Sequence, residues 1–201
     1  MDFSKVKAAL EAREFQVTVC PTKEAAAAYL NAQIDGVSVG FGGSVTLSEL
    51  GMYELLRTHN TVYSHWNNEQ GRSGAETLSD AARAEVFLSS VNGLAETGEL
   101  INIDGTGNRV AGTLYGHRKV YFVVGRNKLA PSYDEALWRA RNIASPKNAQ
   151  RLGVKTPCAA KGERCYDCKS PQRICRALVV LWEKVKSCEM EVVLVDEDLG
   201  Y

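Results

Sequence analysis

The chain has 201 residues, 45% hydrophobic and 24% charged, the composition of an ordinary soluble globular protein long enough to bury one real core. Lys plus Arg and Asp plus Glu balance at 24 each, so nothing global points to nucleic acid or an anionic membrane surface as a partner. No apolar run approaches the roughly 18 residues of a membrane span, and the N-terminal MDFSKVKAALEAREFQV mixes charges with its apolar residues, unlike a signal peptide; a cytoplasmic location is the expectation.

In chain order, DFSKVKAALEARE (2–14) predicts a helix, with Phe3, Val6 and Leu10 on one face. FQVTVC (15–20) predicts a strand, TKEAAAAYLNAQI (22–34) a helix capped by Thr22, and GVSVGF (36–41) a strand. Helix 46–59, strand 61–66, helix 73–84 and strand 85–91 follow, then strands at 99–103 and 119–125 and a helix at 132–144. Alternating strands and helices of this length predict βαβ units and a largely parallel α/β sheet. A cysteine-rich loop comes next, then a helix over 170–185 with Ser170 as N-cap and Pro171 at the first helical position, and a last strand at 191–197. The loop, at about 155–176, reads as an insertion within one domain spanning 1–201.

Two glycine-rich loops are candidate ligand sites. In VSVGFGGSVTLSELG a strand ends near Phe41, Gly42, Gly43 and Ser44 turn, and a helix begins near Thr46. Glycines let a backbone approach a ligand closely, and a helix start offers free N–H groups to an anion. No Lys follows the glycines, so this is no Walker loop, nor is it G-x-G-x-x-G. A tight turn that binds nothing is the competing reading. In GLAETGELINIDGTGNRVAG, the candidates are Glu96, Thr97 and Gly98 before a strand, and Asp104, Gly105, Thr106, Gly107 and Asn108 after it. Arg109 follows, a guanidinium suited to gripping an anion bidentately. DGTGN is also hairpin-turn chemistry; a hairpin and a binding loop are compatible.

GFGGSVTLSELGMYELL and VNGLAETGELINIDGTGNRVAGTLYGHRKVYFVVGRNKLAPSYDEALW, in that order, resemble the lactate-utilisation (LUD) domain family over roughly residues 1–152. The resemblance implies a Rossmann-like α/β fold of CoA-transferase-like and ribose-5-phosphate-isomerase-like architecture, with the ligand over the carboxyl ends of the strands. It also implies a part in L-lactate oxidation to pyruvate alongside iron–sulfur partners. Glu96 stands where a CoA transferase carries the glutamate that forms a covalent thioester, a chemistry open to an oriented carboxylate. AETGEL is not the transferase motif, however, and a turn cap or a contact to a ligand hydroxyl is the plainer role for Glu96.

PCAAKGERCYDCKSPQRIC carries four of the six cysteines, Cys158, Cys165, Cys168 and Cys175, spaced C-x6-C-x2-C-x6-C. Disulfides are rare in the cytoplasm. Four thiolates satisfy tetrahedral zinc or a [4Fe–4S] cluster. Zinc modules pair a close C-x2–4-C with a second close pair, whereas here the outer thiols stand singly, which favours iron–sulfur. Six basic residues against two acidic ones between Lys155 and Arg176 supply compensating charge. The predicted helix would turn its positive end toward Cys168 and bring Cys175 back toward the loop.

Among the histidines, His65 and His117 are candidates to face the cleft, His117 for proton transfer or anion contact, and His59 reads as a surface or satisfied core residue. Trp66, Trp138 and Trp182 read as core, as do Cys20 and Cys188. The family resemblance, together with the four thiols, implies a component of L-lactate or related 2-hydroxyacid oxidation, carrying an iron–sulfur cluster that serves a redox partner protein. The alternative is a small-molecule binding or regulatory module for a CoA ester, nucleotide or sugar phosphate, with structural zinc. A transferase or cyclo-ligase acting through Glu96 is the weaker third option.

Overall fold

Two seven-residue stretches, KVYFVVG and EMEVVLV, are buried almost end to end. Strands apolar on both faces belong in the middle of a covered parallel sheet, and there they lie. The computed structural model describes residues 2–68 and 71–201. In order the elements are α1 (Ser4–Ala12), β1 (Gln16–Cys20), α2 (Lys23–Gln33), β2 (Ser38–Phe41), α3 (Val45–Glu49), α4 (Met52–Leu56) and β3 (Thr61–Tyr63). Next come α5 (Gly74–Ala81), β4 (Val86–Ser89), β5 (Gly93–Ala95), β6 (Leu100–Asp104), α6 (Asn108–Gly112), β7 (Lys119–Gly125) and a 3-10 turn (Arg126–Lys128). The chain continues through β8 (Leu129–Ala130), α7 (Tyr133–Arg139), a π turn (Ala140–Ala144), α8 (Ser145–Arg151), α9 (Pro157–Lys161), β9 (Ala177–Leu181) and β10 (Glu189–Val195).

The main sheet runs β1-β10-β7-β4-β2-β3, every pair parallel. This is the largely parallel sheet that the alternating pattern predicts and the Rossmann-like α/β architecture that the family resemblance implies. The chain places β3 on one side of β2 and then β4 on the other. The order reverses there, and a crevice opens at the carboxyl ends of β2 and β4, the usual ligand position in an open α/β sheet.

One face of the sheet packs Leu30 and Ile34 with Leu47, Met52 and Leu56 of α3 and α4 against Val39, Val123 and Val193. The other face packs Val6 and Leu10 of α1, with Leu94 and Leu100, against Phe87, Phe122 and Val192. Each such fully buried side chain contributes roughly 2 kcal/mol. Leu94 and Leu100 belong to a second, mixed sheet ordered β8-β5-β6-β9. The outer side of that sheet receives α7 and the π turn through Ala136 and Ala140, against Ala95, Ile101 and Ala130. Small residues permit this approach; a Cβ on Gly93 would lie 2.4 Å from the Ala136 carbonyl oxygen. Among the described residues no helix is long and apolar enough to cross a membrane.

Several expectations are corrected. The helix expected over 170–185 does not form. Residues 173–176 are irregular, and Ala177–Leu181 pairs antiparallel with all five residues of β6. A free sheet edge and the β-branched pair Val179–Val180 outweigh the helical spacing. Ser170 accordingly caps no helix; its hydroxyl donates to the Lys155 carbonyl and accepts from the Gln172 N–H. Cys168 thus faces no helix dipole and Cys175 lies in no helix. The helix expected over 46–59 is broken into α3 and α4 by Gly51, whose φ of 66° is left-handed. DGTGN turns the chain into α6, and the hairpin turn is instead Glu96–Gly98, between β5 and β6. Trp66, Trp138 and Trp182 are not core: they are 39%, 58% and 67% exposed, while Cys20 and Cys188 are buried as expected.

Candidate functional site

The loops that leave the carboxyl ends of β2, β4 and β7 enclose a cleft of about 250 Å³. Its remaining walls come from Ile103 to Thr106 and Arg109, from α8, from Ile174, and from the chain at Gly200 and Tyr201. Gly42, Gly43, Ser44, Thr46, Asp104, Gly105, Thr106 and Arg109, all expected at a ligand, line it together. Gly107 and Asn108 lie just behind, at the start of α6.

The glycines of the first loop make room for the protein's own side chains. A Cβ on Gly42 would lie 2.8 Å from Arg109 Cγ, and one on Gly43 would lie 2.9 Å from His65 Cε1. Ser44 caps α3, its hydroxyl accepting from the Leu47 N–H at 3.4 Å.

Asp104 organises the second loop. Its carboxylate accepts N–H bonds from Thr106 and Gly107 on one oxygen and from Arg109 and Val110 on the other, at 3.0–3.1 Å. Burial pushes this carboxyl up, but those bonds and the Arg109 charge together hold it below its ordinary value. Arg109 does not reach out to a ligand as expected. Its guanidinium donates to Asn92 Oδ1 at 3.0 Å, the Ile103 carbonyl at 2.5 Å, the Ser90 carbonyl at 3.4 Å and Asn102 Oδ1. It ties three strand ends together and leaves a half-buried positive charge in the cleft wall.

The floor holds a residue that motif reading missed. Lys128 is 3% exposed and donates from Nζ to Thr46 Oγ1 at 2.7 Å and Ser90 Oγ at 2.8 Å. Burial, with Arg139 and Arg109 nearby, lowers its pKa to about 7; Glu49 opposes them. The available signal was position: Lys128 stands three residues beyond β7, at the carboxyl end of a central strand. Its neighbour Arg126 turns outward to Asp196 and Asp198. Arg139 donates to the carbonyls of Asn127 and Asn92 and to the main-chain oxygen of Tyr201.

At the rim, Arg151 lies 4.7 Å over the Trp66 ring. His65 lines the wall with Nδ1 buried and unpartnered among the described residues. Burial and the Arg151 charge lower its pKa against the pull of Asp104.

Glu96, Thr97 and Gly98 lie outside this cleft. Glu96 forms an ion pair with Lys5 at 2.6 Å, and Gly98 sits against Arg13 of the α1 C-terminus. His117 lies on the amino side of β7; its Nδ1 is 2.5 Å from the Ala84 carbonyl and its ring stacks on Phe87. His59 bonds Asp35 and Asn31 at the surface.

The four clustered cysteines are half-buried free thiols. Cys158 Sγ lies 3.3 Å from the Thr156 hydroxyl that caps α9. Cys165 Sγ accepts from the Asp167 N–H at 3.4 Å and from Arg141 at 3.8 Å. Arg173 donates to the carbonyls of Cys168 and Cys175. The donor set is thus four cysteine sulfurs with Arg141 and Arg173 beside them. As arranged, however, no three His, Cys, Asp or Glu among the described residues converge as a metal-holding group. The segment touches the cleft directly: Ile174 lines it, and the Arg176 N–H donates to the Asp104 carbonyl at 2.8 Å.

A family model, that of the LUD domain, matches residues 3–195 of the chain. Among solved structures, the chain is similar to the crystal structure of a DUF162 family protein from Deinococcus radiodurans, with a TM-score of 0.52 and 14% identity. That likeness covers 97% of this chain and 99% of the other, and at such identity it speaks for the fold. No curated protein matches the chain.

Proposed function

The chain belongs to the LUD domain family and is thereby a lactate-utilisation-related protein, and from that premise we propose that it acts in the oxidation of L-lactate or a related 2-hydroxyacid. In this reading the cleft binds the small carboxylate, and the cysteine segment holds an iron–sulfur cluster that passes electrons to, or docks, a redox partner protein.

One observation carries the reading of the cleft. An amine whose hydrogen bonds, among the described residues, go to two hydroxyls sits at its floor, with the buried Arg139 and half-buried Arg109 guanidiniums beside it. Buried positive charge of that kind attracts an anion. At about 250 Å³ the cleft is smaller than the roughly 300–1,000 Å³ of pockets for drug-sized ligands. This suits a three-carbon acid better than a whole CoA ester or nucleotide.

For the cysteines, the support is the donor set and its charge. Cys158, Cys165, Cys168 and Cys175 would hold the cluster, which when bound supplies one-electron chemistry. Metal binding commonly completes the fold of its own ligand segment, and drawing the four thiols together is what loading would require here. Anaerobic purification with metal analysis and a thermal-shift series tests both halves. About four irons per chain, together with stabilisation by L-lactate or pyruvate, supports the proposal. A colourless protein without iron removes the cluster, one zinc makes the segment a structural clip, and stabilisation by CoA esters, nucleotides or sugar phosphates alone removes the small-acid cleft.

A further inference from the structure

The amine of Lys128 enters the cleft floor from the turn after β7, and each hydroxyl beside it is already committed as a donor. Ser90 Oγ donates to the Val123 carbonyl at 2.5 Å and Thr46 Oγ1 to the Leu199 carbonyl at 3.4 Å. Both hydroxyls therefore act on Lys128 as acceptors. They take two N–H bonds, all that a neutral amine can give; an ammonium has a third. Among the described residues no carboxylate bonds to this nitrogen.

The charges around it come from every neighbouring element. Arg109 from α6 and Arg139 from α7 oppose protonation, and Glu49 from α3 favours it. Glu49 is itself bound to the Gly200 N–H at 2.8 Å. Asp104 is occupied by four backbone N–H groups, and His65 also lines the cleft. Asp104 thus answers the Arg109 charge, while the Lys128 amine itself meets two hydroxyls and, among the described residues, no bonded carboxylate.

We infer that the cleft is a proton-coupled anion site, in which Lys128 takes up a proton as the anion binds and gives that anion its third N–H bond. The choice of a carboxylate as the anion rests on the function proposed above; the coupling does not. The proton comes from solvent, the amine becomes an ammonium, and no covalent bond changes. Bringing a negative charge to a buried amine stabilises its charged form, the reverse of what the neighbouring guanidiniums do. With a resting pKa of about 7, the amine is mostly neutral at pH 8, so charging it there draws nearly one proton per bound anion.

The test is isothermal titration calorimetry at about pH 8 with L-lactate, pyruvate and inorganic phosphate as separate probes, each in two buffers of different ionisation enthalpy. The expected result is uptake of nearly one proton per anion bound, with affinity falling toward tenfold per pH unit above about pH 7. Lys128→Met should lose binding by at least tenfold. Lys128→Arg, which keeps its charge, should bind with no uptake and a flat pH profile. His65→Asn, whatever its affinity, should retain the uptake. Anion binding by the wild type without proton uptake overturns the inference, as does uptake that persists in Lys128→Met, or the absence of binding by all three probes. Phosphate binding with uptake, while lactate and pyruvate fail, sustains the coupling and removes the carboxylate reading. Lactate or pyruvate binding without uptake does the opposite.

Discussion

Replacing Lys128 with Met separates what the residue does for the cleft from what it does to the fold. Met has a similar length, and both hydroxyls beside Nζ keep their own acceptors, so the change leaves no donor stranded. Holding an amine at a pKa of about 7 instead of 10.5 disfavours its charged form by roughly 5 kcal/mol, of which about 4 bear on stability at pH 7. The sign follows from proton counting. Between pH 7 and 10.5 the unfolded chain holds the Lys128 proton more firmly than the native one, so stability from this residue rises with pH across that window. Below about pH 7 the penalty is complete and constant; above 10.5 it vanishes. The Met variant has no such penalty. Its advantage over the wild type should be largest at pH 7 and should shrink by about 3 kcal/mol by pH 9.5. Urea unfolding at several pH values, followed by circular dichroism, measures the gap between the two proteins. A gap that stays constant within about 0.5 kcal/mol from pH 7 to 9.5 refutes the depressed amine and the argument built on it. Stability gained by removing a site residue is the usual signature of a cost accepted for function.

Arg109→Met should destabilise by about 3–5 kcal/mol, because Asn92, Asn102, Ser90 and Ile103 lose one buried partner together; a loss under about 1 kcal/mol in urea unfolding would contradict the knot described for it. Gly112→Ala puts a Cβ 2.5–2.7 Å from the Phe87 ring and should cost about 1–3 kcal/mol by overpacking, read as a lowered thermal midpoint; an unchanged midpoint would show that the ring yields. Glu96→Gln should leave ligand binding in the cleft intact and change stability by less than about 1 kcal/mol, since among the described residues the Glu96 carboxylate pairs with the exposed Lys5. Loss of binding in that variant would return Glu96 to the site and revive the transferase-like chemistry.

The sheet was legible because its cause is local. Runs such as KVYFVVG and EMEVVLV can only be central strands, and the helices between them carry caps, Thr22 and Ser132 among them, that the sequence displays. Half of the site was legible for the same reason: a parallel sheet puts ligands at strand ends, and Gly42, Gly43, Ser44 and Asp104–Thr106 are strand-end loops. The motif resemblance named the family, and the match over residues 3–195 bears it out.

What the tertiary structure decided lies where contacts distant in sequence override local preference. SPQRICRALVVLWEKV has helical spacing, but an open edge on β6 some seventy residues earlier turns its middle into β9. Arg109 looks like a ligand clamp in isolation and becomes a tie between strand ends, since its four acceptors arrive from β4, β5 and β6 and their junctions. Glu96 lies within fourteen residues of Arg109 along the chain, yet the hairpin carries it to α1, away from the cleft. Lys128 shows the opposite case. In sequence it is one lysine of many, and only the folding of Thr46, Ser90, Arg109 and Arg139 around it withdraws its water and its counter-charge together. Desolvation belongs to the whole packed surrounding of a group, and that surrounding is assembled from positions no short window contains.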